Sequence, residues 1–193
     1  MNIRSATYLK ALVPDAPLPD QSLPIVAFLG RSNVGKSSFI NALTEQKNLC
    51  RSGSTPGVTQ KINLFLINNK ILFADLPGYG YAKMGKGERK RLEAMIFWFL
   101  ENRQINLQQV FLLIDARLGA TDQDEELIGF LLSRNLPLVL ILSKSDKLTH
   151  SEKLARAAKI RLSFPHIDII HVSAQKGDGL KEVRQKILPD YSA

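Results

Sequence analysis

Residues 30–37 decide the fold of this chain, and they read Gly30-Arg31-Ser32-Asn33-Val34-Gly35-Lys36-Ser37. They fit the pattern G-x-x-x-x-G-K-[ST], in which glycines let the backbone curl and point its N–H groups at phosphate oxygens. The apolar residues 25–29 precede the motif, as in a strand that is buried on both faces. A helix is predicted to follow over residues 36–43, with apolar side chains on one face. The stretch therefore predicts a phosphate-binding loop between a strand and a helix.

Two side chains of this loop suit the chemistry of a nucleoside triphosphate. Lys36 is expected to reach the β- and γ-phosphates, and Ser37 offers a hydroxyl to Mg²⁺. The positive end of the following helix dipole adds to the attraction for phosphate. A tight strand–helix turn without a ligand is the alternative. The position of the motif, between a predicted strand and a predicted helix, favours the phosphate site.

The rest of the chain alternates between strand and helix patterns. A hairpin is predicted over residues 62–75, with its turn at Asn68-Asn69, because asparagine tolerates the positive φ of a tight turn. Helices are then predicted over 86–102, from 121, over 151–162 and over 179–187, and strands over 109–115, 138–143 and 167–172. Such alternation predicts an α/β fold, with a mostly parallel six-stranded sheet that contains one antiparallel strand and carries helices on both faces. Residues 1–22, which are polar and rich in proline, are predicted to form an N-terminal arm, and residues 23–193 a single domain.

Composition and charge limit the possible classes of protein. The 193 residues are 45% hydrophobic and 23% charged, which excludes a collagen-like, coiled-coil or disordered chain. The longest apolar runs are far shorter than the ~20 residues of a membrane-spanning helix, and no secretory signal is visible. Together with the single cysteine, Cys50, this predicts a cytoplasmic protein without membrane insertion. The formal net charge of +8 favours an anionic partner, either nucleic acid or a membrane surface, over a merely basic exterior.

Three further segments, each at the end of a predicted strand, indicate which nucleotide binds. In Asp75-Leu76-Pro77-Gly78 the acid can hold Mg²⁺ through water, and the glycine N–H can bond a γ-phosphate. In Ser143-Lys144-Ser145-Asp146 the last carboxylate can accept hydrogen bonds from guanine N1–H and the 2-amino group, which adenine cannot supply. In Val172-Ser173-Ala174 a backbone N–H can bond guanine O6. Sheets of this kind bind ligands at the carboxyl ends of their strands, so the segments together predict a guanine nucleotide site.

These segments resemble those of the translation-factor-related GTPases and, more closely, of the bacterial EngB family of small single-domain GTPases. The resemblance covers residues 23–188. Beyond the phosphate loop it is carried by Ser54-Thr55-Pro56-Gly57-Val58-Thr59-Gln60, by Asp75-Leu76-Pro77-Gly78-Tyr79-Gly80-Tyr81-Ala82 and by Asp115-Ala116-Arg117. It implies a three-layer P-loop GTPase fold, binding of GTP and GDP, Mg²⁺-dependent GTP hydrolysis, and assistance in assembly of the large ribosomal subunit through contact with that subunit or its rRNA. We expect the protein to be a monomer. It also implies a need for the protein in normal cell division and septation.

The resemblance assigns the phosphate contacts and the second switch to particular residues. Residues 30–37 would hold the phosphates, and Lys36 would act in catalysis. Gly78 would join it there through its backbone N–H. Residues 75–85 would form the second switch, a segment that changes conformation with the bound nucleotide.

The resemblance places the first switch at residues 57–61. Thr59 would be its central residue, acting in catalysis and binding Mg²⁺ beside Ser37 only when γ-phosphate is present. Thr55 competes for that role, and Thr59 is preferred because the family pattern has the threonine after Pro-Gly-x. The other nucleotide contacts of this switch would be Gly57, Val58, Gln60 and Lys61.

Three positions qualify the expected chemistry. Ser143 stands where the guanine motif usually has Asn or Thr, so guanine selection is expected to survive through Asp146 with weaker affinity. Tyr79 stands where Ras-like GTPases have a glutamine that orients the attacking water, which predicts slow intrinsic hydrolysis. Asn33 holds a position that helps to coordinate K⁺ in several related GTPases, which suggests K⁺ as a further cofactor and leaves a simple loop cap as the alternative.

Two other functions stay open at this point, and so does the role of one basic segment. A P-loop kinase or ATPase would need an acceptor site and usually a lid, and neither is visible in so short a chain. A GTP-binding interaction module would hydrolyse GTP only incidentally. The basic segment is either a solvated helix face or a contact to RNA phosphates. It consists of Lys83, Lys86, Arg89, Lys90 and Arg91.

Overall fold

The computed structural model describes residues 3–14, 16–20, 22–50, 61–81 and 84–187. Its strands are β1 (Ala6–Leu12), β2 (Ile25–Gly30), β3 (Ile62–Ile67), β4 (Ile71–Asp75), β5 (Leu107–Asp115), β6 (Leu138–Ser143) and β7 (Asp168–His171). Its helices are α1 (Lys36–Thr44), α2 (Lys86–Glu101), α3 (Asp122–Ser133), α4 (His150–Ser163) and α5 (Leu180–Ile187). The elements predicted after residue 24 are all present, with ends that differ from the predictions by two residues at most.

The strands form one sheet in the order β1-β3-β4-β2-β5-β6-β7. The pairs from β4 through β2, β5 and β6 to β7 are parallel, whereas β3 is antiparallel to both of its neighbours. The mostly parallel α/β architecture with one antiparallel strand is therefore confirmed.

The sheet has seven strands rather than the predicted six, because β1 comes from the segment that was predicted to be an arm. This strand pairs with β3 along its length, and its register shifts between Tyr8 and Lys10. Tyr8 and Leu9 are exposed, at 55% and 45% of their surface, so the sequence of β1 does not show the apolar pattern of the inner strands.

Helices cover both faces of the sheet, and two separate apolar clusters fill the space beneath them. One cluster contains Leu92, Ile128 and Ile160, so α2, α3 and α4 lie on that face. The other contains Ile40 and Val183, so α1 and α5 lie on the opposite face. Alternate residues of β2 enter the two clusters, as predicted for a strand that is buried on both faces.

A group of aromatic rings fixes α1 against the middle of the sheet. The ring of Phe28 on β2 lies 5.9 Å from Phe39 of α1, 5.0 Å from Phe73 of β4 and 5.7 Å from Phe111 of β5. Such pairs contribute about 0.5–1.5 kcal/mol each beyond their burial. They hold α1 against β2, β4 and β5 on one face of the sheet, and the phosphate loop joins β2 to this helix.

The described residues contain no helix that is both long enough and apolar enough to span a membrane.

Candidate functional site

The phosphate loop lies between β2 and α1, as predicted. Gly35 is the residue before the first turn of α1, and its φ of 100° is one that residues with a side chain rarely adopt. Lys36 is the first residue of the helix, so its side chain and the free backbone N–H groups of the first turn share one end of α1. This end combines a cation, unpaired donors and a positive dipole end, which together attract phosphate.

The ammonium of Lys36 forms an ion pair with the carboxylate of Asp75, and both side chains are nearly buried. Asp75 ends β4, and it lies opposite Phe28 in the parallel pairing of β2 with β4. The pair thus brings together the lysine predicted to reach phosphate and the acid predicted to face Mg²⁺.

Mg²⁺ suits the donors at this place. A hydroxyl at Ser37 and a carboxylate at Asp75 are oxygen ligands of the kind that Mg²⁺ takes. No group of three or more His, Cys, Asp or Glu side chains that could hold a metal occurs among the described residues. Mg²⁺ usually completes its coordination with waters and substrate phosphates, so these residues fit an ion that is brought with a nucleotide.

The segment after Asp75 lies against the phosphate loop. A Cβ atom at Gly78 would be 3.1 Å from both the Cα and the N of Ser32, which is tighter than ordinary packing. One residue later, Tyr79 O accepts a hydrogen bond of 2.8 Å from Ser32 N. The absence of a side chain at position 78 therefore lets the predicted second switch touch the phosphate loop with its backbone.

Tyr79 points away from this contact and into the core. Its hydroxyl donates a hydrogen bond of 2.6 Å to Asp124 Oδ1 on α3, and only 8% of the residue is exposed. Burial raises the pKa of Tyr79 well above its usual value, and the Asp124 carboxylate raises it further. The residue at the position of the Ras glutamine thus joins the predicted second switch to α3.

Asp124 is a residue of this arrangement that the sequence prediction missed. It is 1% exposed, and its Oδ2 accepts hydrogen bonds from Thr121 N at 2.9 Å and from Thr121 Oγ1 at 2.7 Å. The spacing of a threonine before a helix and an acid three residues later predicts the bond from Thr121 N. Nothing in the local sequence indicates the bond from Tyr79, which lies 45 residues earlier.

The two segments predicted to hold guanine meet at the carboxyl ends of β6 and β7. Ser145 N donates a hydrogen bond of 3.1 Å to Val172 O. The hydroxyl of Ser173 donates to Asp146 Oδ1 at 2.8 Å. This bond lowers the pKa of Asp146, so the carboxylate that is predicted to read guanine stays ionised. Ala174 follows directly, outside β7.

Ser143 links the guanine segment to the phosphate loop. Its buried hydroxyl lies within hydrogen-bond distance of two carbonyls, 2.9 Å from Val34 O and 3.1 Å from Ile114 O. The bridging expected of a serine at this position is therefore present.

Lys144 makes a second link between these loops. Its ammonium donates to Asn33 O at 2.8 Å and to Asp115 Oδ2 at 2.9 Å. Arg117 donates to the same carboxylate through its backbone N, Nε and Nη2. Burial alone would raise the pKa of Asp115, but the hydrogen bonds from Arg117 and Lys144 outweigh it and lower the pKa to about 2. The sequence prediction gave Asp115 and Arg117 no role beyond their likeness to a family motif.

Residues 57–60 of the predicted first switch lie outside the described residues, as do Thr55, Ala82 and Lys83. The described end of this switch is Lys61, which is exposed and precedes β3. Cys50 is the last described residue before this part of the chain, and Asn41 of α1 holds it: Asn41 Oδ1 accepts a hydrogen bond from Cys50 N at 2.7 Å, and Asn41 Nδ2 donates one to Cys50 O at 2.9 Å. The assignments to Thr59, Thr55 and their neighbours stay predictions. They concern Gly57, Val58, Thr59, Gln60 and the alternative Thr55.

Comparison with known proteins identifies the family. The family described as 50S ribosome-binding GTPase matches residues 25–144, from β2 through Lys144. The probable GTP-binding protein EngB of Desulfatibacillum aliphaticivorans is 40% identical over 191 residues, which cover 97% of this chain and 92% of that protein. The chain belongs to the EngB family of GTP-binding proteins. It is accordingly a GTPase, as the resemblance to this family implied.

Solved structures agree with the EngB assignment. The crystal structure of a probable GTP-binding protein EngB has a TM-score of 0.72 at 27% identity and covers 86% of this chain and 97% of its own. The structure of Era in complex with MgGDPNP and nucleotides 1506–1542 of 16S ribosomal RNA has a TM-score of 0.70 at 27% identity, and covers 87% of this chain and 56% of its own. Both confirm the GTPase fold predicted from the sequence.

Proposed function

We propose that this EngB protein binds GTP across the carboxyl edge of its parallel strands and hydrolyses it as a switch in assembly of the large ribosomal subunit. The observation that carries the nucleotide site is the pair of bonds from Ser143 to Val34 O and from Lys144 to Asn33 O. They tie the predicted base-binding loop directly to the predicted phosphate-binding loop. Two such loops at a fixed separation suit a single ligand that has a guanine at one end and phosphates at the other.

At the phosphate end, the first turn of α1 and the ammonium of Lys36 would bind the β- and γ-phosphates. The ion pair of Lys36 with Asp75 supports this role, because it places a desolvated cation at the end of the helix. Ser37, Thr59 and, through water, Asp75 would hold Mg²⁺, which neutralises charge on the phosphates when it is bound. The N–H of Gly78 would bond the γ-phosphate. The close approach of the Gly78 backbone to Ser32 of the phosphate loop supports that assignment.

At the base end, Asp146 would accept two hydrogen bonds from guanine. The bond from Ser173 supports this role, since it occupies Oδ1 and fixes the direction of the carboxylate. Ser145, Val172 and Ala174 complete the surroundings of the base in the proposal, with a backbone N–H of residues 172–174 bonding guanine O6.

Hydrolysis would be slow in the isolated protein. The hydroxyl of Tyr79 is engaged by Asp124, so this side chain is not free to orient a water molecule at the γ-phosphate. The developing charge on the phosphates would then be met by Lys36 and Mg²⁺, and by a further cation. We propose K⁺ near Asn33, the exposed loop residue with a φ of 66°, as that cation.

The ribosomal part of the proposal rests on charge and on the comparisons. The matching family is described as 50S ribosome-binding, and Era, a neighbour in fold, has been solved with ribosomal RNA. The formal net charge of +8 suits an RNA partner, and Lys86, Arg89, Lys90 and Arg91 are exposed on the first turns of α2. We extend the proposal to a cytoplasmic monomer that is needed for normal division and septation through its effect on ribosome assembly.

The test is ribosome sedimentation from cells depleted of the protein, combined with GTP turnover measured with and without large subunits. We expect depleted cells to accumulate incomplete large subunits, and mature small subunits to be unaffected. Large subunits should raise GTP turnover severalfold, while small subunits should not. Normal profiles after depletion would refute the assembly role. Stimulation by neither subunit would instead favour a GTP-binding interaction module with incidental turnover.

A further inference from the structure

A cavity of about 350 Å³ lies beside the phosphate loop. Arg31 of the phosphate loop, Gly80 and Tyr81 of the second switch, Arg89 of α2, and Asp122 and Gln123 of α3 line it. Arg89, Asp122 and Gln123 are exposed, so the cavity opens to solvent. Its volume falls within the range of about 300–1,000 Å³ that is typical of small-molecule sites.

Both arginines at this cavity have capacity to bind an anion. Within the described residues Arg31 has no ion pair, and its Nε is buried without a hydrogen-bond acceptor. Arg89 has only a long contact of 3.9 Å with Glu93, and half of its side chain is exposed. Unpaired guanidinium groups near a surface are the usual partners of phosphate or carboxylate.

The position of Arg31 depends on Gly80. A Cβ atom at Gly80 would lie 2.9 Å from Arg31 Nε and 3.0 Å from Gln123 Oε1. The bare backbone therefore leaves room for the guanidinium and the amide at one wall of the cavity.

The remaining lining groups distinguish between anionic ligands. A free phosphate or an acidic peptide would use the arginines, but Asp122 would repel either of them, and a free phosphate has no flat surface to place on Tyr81. An unpaired nucleotide uses all of these groups, because bases stack on aromatic rings and their edges bond to amides and carboxylates. Its phosphate would face the two arginines.

We propose that this cavity binds one unpaired nucleotide of RNA, with the base on Tyr81 and the phosphate at Arg31 and Arg89. The proposal rests on the RNA-binding part of the proposed function and names the contact. Because Arg31 belongs to the phosphate loop and Tyr81 follows Gly78 closely, an occupant touches both segments that surround the γ-phosphate in the proposed site. Any factor by which guanine nucleotide changes the affinity for RNA would then equal the factor by which RNA changes the affinity for guanine nucleotide.

The first arm of the test uses a fluorescein-labelled single-stranded oligoribonucleotide of twelve mixed residues and measures anisotropy with the GDP-bound full chain. Tyr81→Leu, which keeps an apolar side chain but removes the ring, should weaken binding about tenfold or more. Arg89→Gln should weaken binding and reduce the slope of log affinity against log salt by about 0.7. Arg103→Gln is the matched control, an exposed arginine beyond the opposite end of α2, and should change binding less than about twofold. Gln123→Ala changes an exposed residue of the same cavity and should also weaken binding. It serves as the second variant if Tyr81→Leu fails to fold.

The second arm measures co-sedimentation of the same variants with large ribosomal subunits. The proposal is supported if the parent protein binds both the RNA and the large subunits, and if Tyr81→Leu and Arg89→Gln each weaken both kinds of binding. Binding that is unaffected by Tyr81→Leu and Gln123→Ala would overturn it, while leaving the ribosomal function intact if the subunits still bind. If the parent protein does not bind the subunits, the proposed ribosomal function is wrong. The oligonucleotide measurements would still show whether the cavity binds RNA. Binding of an octaglutamate peptide in place of the RNA, lost in Arg89→Gln, would identify a protein ligand and overturn the nucleotide proposal.

Discussion

Replacing Tyr79 by phenylalanine tests whether this residue anchors the second switch or takes part in the reaction. The substitution removes only the hydroxyl, which donates a hydrogen bond of 2.6 Å to Asp124 Oδ1. Among the described residues, no other side chain donates to this oxygen. Asp124 is 1% exposed, so water cannot easily replace the lost donor. A hydrogen bond to a charged group contributes about 1.5–3 kcal/mol, and we expect Tyr79→Phe to lower the free energy of unfolding by about that amount.

Thermal unfolding is the assay. A loss of about 2 kcal/mol lowers the melting temperature of a domain of this size by roughly 4–8 °C. Tyr81→Phe is the matched control, because within the described residues its hydroxyl makes no hydrogen bond, and it should leave the melting temperature unchanged. A double-mutant cycle with Asp124→Asn should assign most of the loss to the pair, since residues in direct contact do not behave additively.

The pH dependence has a definite sign. Because burial raises the pKa of Tyr79 in the folded protein, the bond contributes fully below the ordinary tyrosine value of ~10 and loses its contribution as pH rises above it. The difference in stability between the parent and Tyr79→Phe should therefore narrow above pH ~10.

Turnover decides between anchor and catalyst. General acid–base groups contribute about 10²–10⁴-fold to rate. If the phenol of Tyr79 moved a proton during hydrolysis, Tyr79→Phe would therefore lose kcat by a factor of that size. We expect Tyr79→Phe to change kcat by less than about tenfold, below the contribution of a general acid or base. A hundredfold loss of kcat with an unchanged melting temperature would refute the anchoring role.

Three further outcomes follow from the site and its surroundings. Burial raises the pKa of the Cys50 thiol to about 12, so iodoacetamide should label it far more slowly in the folded protein than in urea, and equal rates would contradict this. Hydrogen bonds lower the pKa of Asp115 to about 2, although burial acts in the opposite direction. Asp115→Asn should therefore lower the free energy of unfolding at neutral pH. This difference from the parent should disappear as pH falls from ~4 towards ~2. A loss of stability that is the same at every pH would show that the charge of Asp115 does not contribute to it. Replacing Na⁺ by K⁺ should raise GTP turnover, and Asn33→Ala should abolish only that increase; equal turnover of the parent in the two salts would rule out the cation.

The parts of the fold that could be predicted are those whose information is local. The phosphate loop, the hairpin turn at Asn68-Asn69 and the guanine segment are each short patterns at the end of an apolar strand. Once parallel strands are inferred, their carboxyl ends must meet at one edge, so the approximate site follows from the pattern alone.

The parts that could not be predicted depend on tertiary contacts. Strand β1 lies at the edge of the sheet with Tyr8 exposed, and it becomes recognisable only through its pairing with β3. The bond from Tyr79 to Asp124 joins residues that are far apart in the chain. The network around Asp115 likewise requires Lys144 from the next strand end, which no spacing in the sequence reveals.

The most direct test of the guanine nucleotide site is the affinity of Asp146→Asn for GDP and for XDP, measured by titration calorimetry beside the parent protein. An amide at this position can donate to the 2-oxo group of xanthine but cannot accept both hydrogen bonds of guanine. We expect the parent to prefer GDP strongly, and the variant to lose about a hundredfold in GDP affinity, since each bond to a charged group is worth about 1.5–3 kcal/mol. The variant should bind XDP more tightly than the parent does. If Asp146→Asn binds GDP as tightly as the parent and gains nothing for XDP, the guanine site lies elsewhere.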